Sequence, residues 1–126
     1  MSATLGSVSL LRSFGFALEG ISYLIRTQRS ARIELVIGVI VIALALWLGI
    51  SALEWAVLGL AITCVLAFEA LNTAMELAVT LASPARHPQA KAAKDVSAAM
   101  VLIAAAGAVV VGLAILGPPL FAGIAP

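Results

Sequence analysis

Residues 69–76 read Glu-Ala-Leu-Asn-Thr-Ala-Met-Glu, and residues 90–95 read Ala-Lys-Ala-Ala-Lys-Asp. Between Glu69 and Asp95 lies nearly half of the charge of a chain that is 63% hydrophobic and only 10% charged. Glu69, Asn72, Thr73 and Glu76 are spaced i, i+3, i+4 and i+7, so a helix through them presents all four on one face, with Thr80 continuing the stripe. A carboxylate inside an apolar helix costs several kcal/mol on transfer into hydrocarbon, about 3 kcal/mol on insertion scales, and is retained where it pairs, conducts or reacts. The apolar sequence around this stripe therefore decides the fold, and the stripe itself points to function.

Composition supports a membrane protein. A soluble domain carries roughly 25% charged residues, and a mean hydropathy of +1.20 leaves too little polar surface to solvate a globule. Three apolar runs are long enough to cross about 30 Å of hydrocarbon at about 1.5 Å per residue. They are 33–50, 55–81 and 96–116, the last closed by Gly117-Pro118-Pro119. Ser51 to Glu54 is a short turn, with Trp47 and Trp55 flanking it as an interfacial aromatic pair. Residues 83–88 join the second and third spans. Glu54 is expected to be a solvated turn residue, and Cys64, the single cysteine, a packing residue.

Residues 8–29 form a different kind of helix. Arg12, Gly15, Glu19, Ser22, Arg26 and Arg29 recur along one face, while Leu10, Phe14, Ala17, Ile21 and Leu24 line the other, the pattern of an amphipathic interfacial helix. No apolar segment with a small-residue cleavage site follows Met1, so no cleaved leader is expected. Arg12, Arg26, Arg29 and Arg32 precede the first span, and Arg86, Lys91 and Lys94 lie between the second and third. The 51–54 turn and the tail after Leu116 contain no Lys or Arg. The positive-inside rule puts the N-terminus and the 86–94 segment in the cytoplasm and the C-terminus outside.

The fold class expected is thus all-α integral membrane, one domain over 1–126, with an interfacial helix and three transmembrane helices. Three spans make a thin bundle for two carboxylates. Together with the small residues of the third span (Ala98, Ala99, Ala104 to Ala106, Gly107, Ala108), this predicts a homo-oligomer.

If the second span starts at Trp55 on the outer side, Glu69 lies roughly 20 Å inward along the helix, and Glu76 two turns further, near the cytoplasmic surface. Lys94 and Asp95 open the third span at that level. Glu69, the deepest, suits a general base. Glu76 with Asn72 offers hard oxygen ligands of the kind Mg²⁺ takes beside phosphate, and Lys91 and Lys94 can counter phosphate charge. His87, ahead of Pro88, is expected to be a solvated loop residue. Glu34 is either a site residue or a partner for Arg32. There is no phosphate-binding loop of soluble nucleotide enzymes, no protein-kinase glycine loop and no basic tract for nucleic acid.

The run Glu69-Ala-Leu-Asn72-Thr73-Ala74-Met-Glu76, with His87-Pro-Gln-Ala90-Lys91-Ala-Ala93-Lys94-Asp95 downstream, resembles the prokaryotic diacylglycerol kinase family. These are small three-span lipid kinases that include undecaprenol kinases. Ser13-Phe14, Ala17, Gly20-Ile21 and Arg32-Ile33 extend the resemblance over about residues 10–116. It implies a homotrimer with composite sites in a bacterial inner membrane. It also implies transfer of the γ-phosphoryl group of MgATP to the primary hydroxyl of a membrane lipid, diacylglycerol or undecaprenol. Carried over, Glu69 is the base, Glu76 binds Mg²⁺, Asn72 positions substrate or phosphate, and Lys94 holds ATP phosphates. Asp95 orients Lys94 or binds the nucleotide side. Arg12 and Glu19 join the substrate- or nucleotide-binding set, and Gln28 stands where the family commonly has a metal-holding Glu. Ser30 replaces a frequent Asn, and Thr80 stands where an Asp usually follows. Two other functions compete: a catalytically weakened homologue, from Gln28 and Thr80, and a small oligomeric proton or ion transporter using Glu69.

Overall fold

The computed structural model describes residues 2–124, all within four helices and their short connections: α1 (Ser2–Thr27), α2 (Arg29–Leu48), α3 (Ala52–Ala82) and α4 (Pro88–Ile124). Among the described residues there is no strand. Helices α2, α3 and α4 are each long and apolar enough to cross a membrane, and the protein is a multi-pass membrane protein. Antiparallel α3 and α4 are the most closely packed pair. Helix α2 lies along both, and among the described residues α1 touches α2 and α3 but not α4.

The helix ends follow local chemistry. Gly49 closes α2 in the left-handed region (φ 66°, ψ 49°), where a residue without a Cβ is unstrained, and its N–H donates to the Ala45 carbonyl at 3.0 Å. Ser51 then caps α3 through a capping box. The Glu54 N–H donates to Ser51 Oγ at 3.2 Å, and the Ser51 N–H donates to Glu54 Oε1 at 3.1 Å. Glu54 is therefore a half-buried capping residue and not a merely solvated one. Its reach back to residue 51 also starts the helix three residues before Trp55. Trp47 is exposed, as an interfacial residue would be, whereas Trp55 packs against the core.

One residue separates α1 from α2. Gln28 adopts extended dihedrals (φ −108°, ψ 113°), which breaks the helix and leaves the last carbonyls of α1 without intrahelical partners. Arg32 supplies them: its Nη1 donates to the Ile25 carbonyl at 2.9 Å and the Arg26 carbonyl at 3.0 Å. A cation at a helix C-terminus also meets the negative end of the helix dipole. Helix α1 exposes Leu10, Phe14 and Ile21, and the exposed Leu11, Phe16 and Tyr23 widen its apolar surface beyond the predicted stripe.

Helix α4 begins at Pro88, the first-turn position where a missing N–H is harmless. Lys94 and Asp95 thus lie in its second turn. At the other end the helix does not stop at Leu116 but continues through Pro118 and Pro119 to Ile124. Two prolines forfeit two backbone donors. Continuing the helix brings Leu120 against the buried cluster of Ala45, Leu58, Ile115 and Leu116, which offsets that loss with apolar packing.

The interior is divided along the bundle axis. The apolar cluster fills the end near the α2–α3 turn, while the buried polar residues Glu69, Asn72, Thr73 and Ser97 gather toward the other end. There Ser97 Oγ donates to Asn72 Oδ1 at 2.8 Å across α3 and α4. Removing the donor leaves a buried amide oxygen unpaired, at a cost of about 1–3 kcal/mol. In a Ser97→Ala and Asn72→Ala double-mutant cycle, read by detergent denaturation, the pair is expected to couple by about 1 kcal/mol. The Arg32 bonds are exposed. Arg32→Met should raise amide exchange in the last turn of α1 about fivefold, for about 1 kcal/mol lost, as read by hydrogen–deuterium exchange.

Candidate functional site

The stripe on α3 descends from surface to interior. Thr80 is exposed and Glu76 half-buried, while Thr73, Asn72 and Glu69 are buried, Glu69 with 2% of its surface exposed. Glu69 and Glu76 are two turns apart, about 10 Å along the axis at 1.5 Å per residue. Two layers of polar contacts result, one deep and one at the surface.

In the deep layer, α2 meets α3 at the stripe. Ser30 Oγ donates a hydrogen bond to Glu69 Oε1. Thr73 Oγ1 donates to the Glu69 backbone carbonyl at 3.0 Å, so it leaves the carboxylate alone. Glu34, one turn beyond Ser30 on α2, lies within electrostatic reach of Glu69. Its Oε2 is the one buried side-chain polar atom without a hydrogen-bond partner among the described residues. Arg32, the alternative partner for Glu34, is engaged with α1. Glu34 is therefore not paired with Arg32 among the described residues.

At the surface, the α3–α4 connection encloses a cleft of about 730 Å³ lined by Thr80, Arg86, His87, Lys91, Lys94 and Asp95 among others. Lys94 Nζ donates to Thr80 Oγ1 at 2.9 Å. Asp95 pairs with Lys91 at 2.6 Å, an i, i+4 contact within one helix, and makes no bond to Lys94, which leaves the nucleotide side as the other role expected of it. His87 is an exposed residue of the α3–α4 connection, as expected, and it also caps the following helix. Its Nδ1 accepts from the Gln89 N–H at 3.1 Å, and its carbonyl accepts from Lys91 N–H at 3.0 Å, which makes it the cap of α4.

The remaining candidates stand apart from this cluster. Arg12 and Glu19 are exposed on α1, and Glu19 lines a separate shallow groove with Phe16, Tyr23 and Arg26. Gln28 sits half-buried at the α1–α2 break with its Nε2 3.4 Å from Thr27 Oγ1. Among the described residues no group of three His, Cys, Asp or Glu could hold a metal unaided. Mg²⁺, however, normally takes one or two carboxylates together with phosphate oxygens and water. Glu76, which makes no ion pair among the described residues, is a donor of that kind. Sequence reasoning did not assign Ser30 or Ser97 to the site. The available signal was the i, i+4 spacing of Ser30 and Glu34 on a helix that faces the stripe.

A groove of about 400 Å³ runs between α2, α3 and α4 from Glu34 past Val41, Leu58 and Leu113 to Leu120. Apart from Glu34 its lining is apolar or glycine. Glu34 is the carboxylate that lines this groove and Asp95 the one that lines the surface cleft, while Glu69 and Glu76 line neither.

Comparison with known proteins gives the family. Residues 15–116 match the family model described as prokaryotic diacylglycerol kinase. The chain is 46% identical over 113 residues to a diacylglycerol kinase of Synechocystis sp., covering 89% of this chain and 65% of that protein, so it spans just under two thirds of that relative's length. It is 35% identical over 109 residues to an undecaprenol kinase of Bacillus subtilis, covering 86% of this chain and 89% of the relative. A diacylglycerol kinase of Haemophilus influenzae is 31% identical over 104 residues, 82% of this chain and 88% of that protein. The chain belongs to the prokaryotic diacylglycerol kinase family.

Proposed function

We propose that the protein is a lipid kinase that transfers the γ-phosphoryl group of MgATP to the primary hydroxyl of a membrane lipid, diacylglycerol or undecaprenol. The observation that carries this is the buried Glu69 carboxylate on the α3 stripe whose far end, Thr80, about 16 Å along the helix, lines a cleft bearing Lys94, Lys91 and Arg86. A greasy alcohol reaches the first through the membrane, and a polyphosphate reaches the second from water. Family membership supports the same chemistry, since relatives carry both the diacylglycerol kinase and the undecaprenol kinase names.

Phosphoryl transfer needs alignment and charge neutralisation, with little covalent work from the protein. Glu69 accepts the lipid hydroxyl proton as that oxygen bonds to the γ-phosphorus and the bond to the ADP oxygen breaks. Lys94 neutralises phosphate charge, and Asn72 keeps the α3 stripe in register through its bond to Ser97 while its amide nitrogen faces substrate. Asp95 acts on the nucleotide side by holding Lys91, and Arg12 and Glu19 reach the nucleotide from α1. Glu76, with the amide oxygen of Gln28, would hold Mg²⁺, which when bound supplies charge neutralisation on the phosphates.

The assembly proposed is a homotrimer with sites completed between subunits. The exposed apolar faces of α2 to α4 and the separation of α1 from the cleft within one protomer support it. The same reading puts α1 in the interface of a bacterial inner membrane, with the N-terminus and cleft cytoplasmic and the C-terminus outside.

Protein reconstituted in bilayers with radiolabelled ATP and each lipid in turn should label one or both lipids. Glu69→Gln should lower turnover at least about 100-fold, the lower range for loss of a general base. Folded wild-type protein that labels neither lipid would overturn the kinase assignment, and MgATP binding without turnover would mark a weakened homologue. Lys94→Ala should raise KM for MgATP about tenfold, corresponding to about 1.4 kcal/mol for one charge-assisted contact, with a smaller change in lipid KM.

A further inference from the structure

We propose that Ser30 is a positioning residue that sets the orientation of the Glu69 carboxylate for proton transfer; this rests on Glu69 being the base. Ser30 and Glu69 are 39 residues apart in sequence, yet the Ser30 hydroxyl donates directly to Oε1. A glutamate has three side-chain torsions, and the last is broad and only loosely restricted by its own geometry. An external donor is needed to hold it, and the neighbouring hydroxyls of Thr73 and Ser97 are committed elsewhere. Thr73 bonds the backbone carbonyl, and Ser97 is on Asn72. Among the described residues Ser30 is the one side chain that hydrogen-bonds the carboxylate. With Oε1 occupied, Oε2 is the oxygen left to accept the substrate proton.

The backbone makes this contact possible. Ser30 is the second residue of α2, two residues after the extended Gln28, and Arg32 secures that break by bonding the end of α1. The α1–α2 junction is therefore coupled to the base through one hydroxyl. A base misplaced by about 1 Å can lose about 100-fold in rate, and loss of one restraint on a torsion is expected to fall short of that.

Three variants and two measurements test the assignment. With lipid and MgATP varied separately in bilayers, Ser30→Ala should lower kcat about tenfold and leave both KM values unchanged. Ser30→Thr, which keeps the hydroxyl, should recover most of the loss. Unchanged kcat in Ser30→Ala, a change in KM instead of kcat, or a Ser30→Thr variant as impaired as Ser30→Ala at unchanged melting temperature would each overturn it. Infrared difference spectra supply a readout independent of turnover. Ser30→Ala should displace a carboxyl band in the wild-type background and not in the Glu69→Gln background. The same spectrum in both backgrounds would overturn the contact. Wild-type protein that phosphorylates neither lipid counts against the kinase assignment alone, and the infrared comparison then decides Ser30.

Discussion

Keeping a carboxylate in the middle of an apolar helix is the constraint to which the rest of the bundle answers. Glu69 is almost wholly buried and has no basic partner among the described residues. An isolated buried charge is expensive, and its cost falls only where hydrogen bonds or nearby polar groups replace water. Helix α2 provides a hydroxyl from Ser30, and α3 and α4 surround the stripe with Asn72, Thr73 and Ser97. The apolar cluster of Ala45, Leu58, Ile115 and Leu116 is correspondingly displaced toward the opposite end. Stability and chemistry thus occupy different halves of the same four helices.

The division explains why the connections differ so much in construction. Between α2 and α3 the chain turns in three residues, with a left-handed glycine and a capping box, next to the part of the molecule that holds the bundle together. Between α3 and α4 the connection is longer and opens a charged cleft. Between α1 and α2 there is only Gln28, and the break is spanned by side-chain to backbone bonds from Arg32 beside the buried Ala31.

Much of this was legible in sequence because it depends on period and length. The three spans follow from apolar runs, and the α3 stripe follows from residues three and four apart. The contacts of Ser30, Ser97 and Glu34 were not legible, because they depend on which faces of α2 and α4 turn toward α3, and small polar residues in apolar helices leave a weak periodic signal. The capping contacts of Glu54 and of the exposed His87 were not legible because they are made to backbone N–H groups, which composition does not reveal. The prolines at 118 and 119 were read as a stop, since local propensity favours one. Packing of Leu120 against the core overrides that propensity.

The surface cleft shows how two departures from the family pattern fit the proposed chemistry. Lys91 is paired with Asp95, so it adds little net charge. Lys94 is directed by Thr80, whose hydroxyl accepts a hydrogen bond without neutralising the ammonium. An aspartate at position 80 would hold Lys94 more tightly, but a polyphosphate would then have to displace it or sit beside a like charge. With Thr80, the ammonium is oriented and its full charge remains for phosphate. Ser30 works similarly at the deeper layer, where a neutral hydroxyl orients the Glu69 carboxylate without a counter-charge that would quench it as a base. In both layers the group proposed to do the chemistry is held by a hydroxyl from a neighbouring helix. Orientation is obtained while the charge is preserved, and phosphoryl transfer depends on that combination.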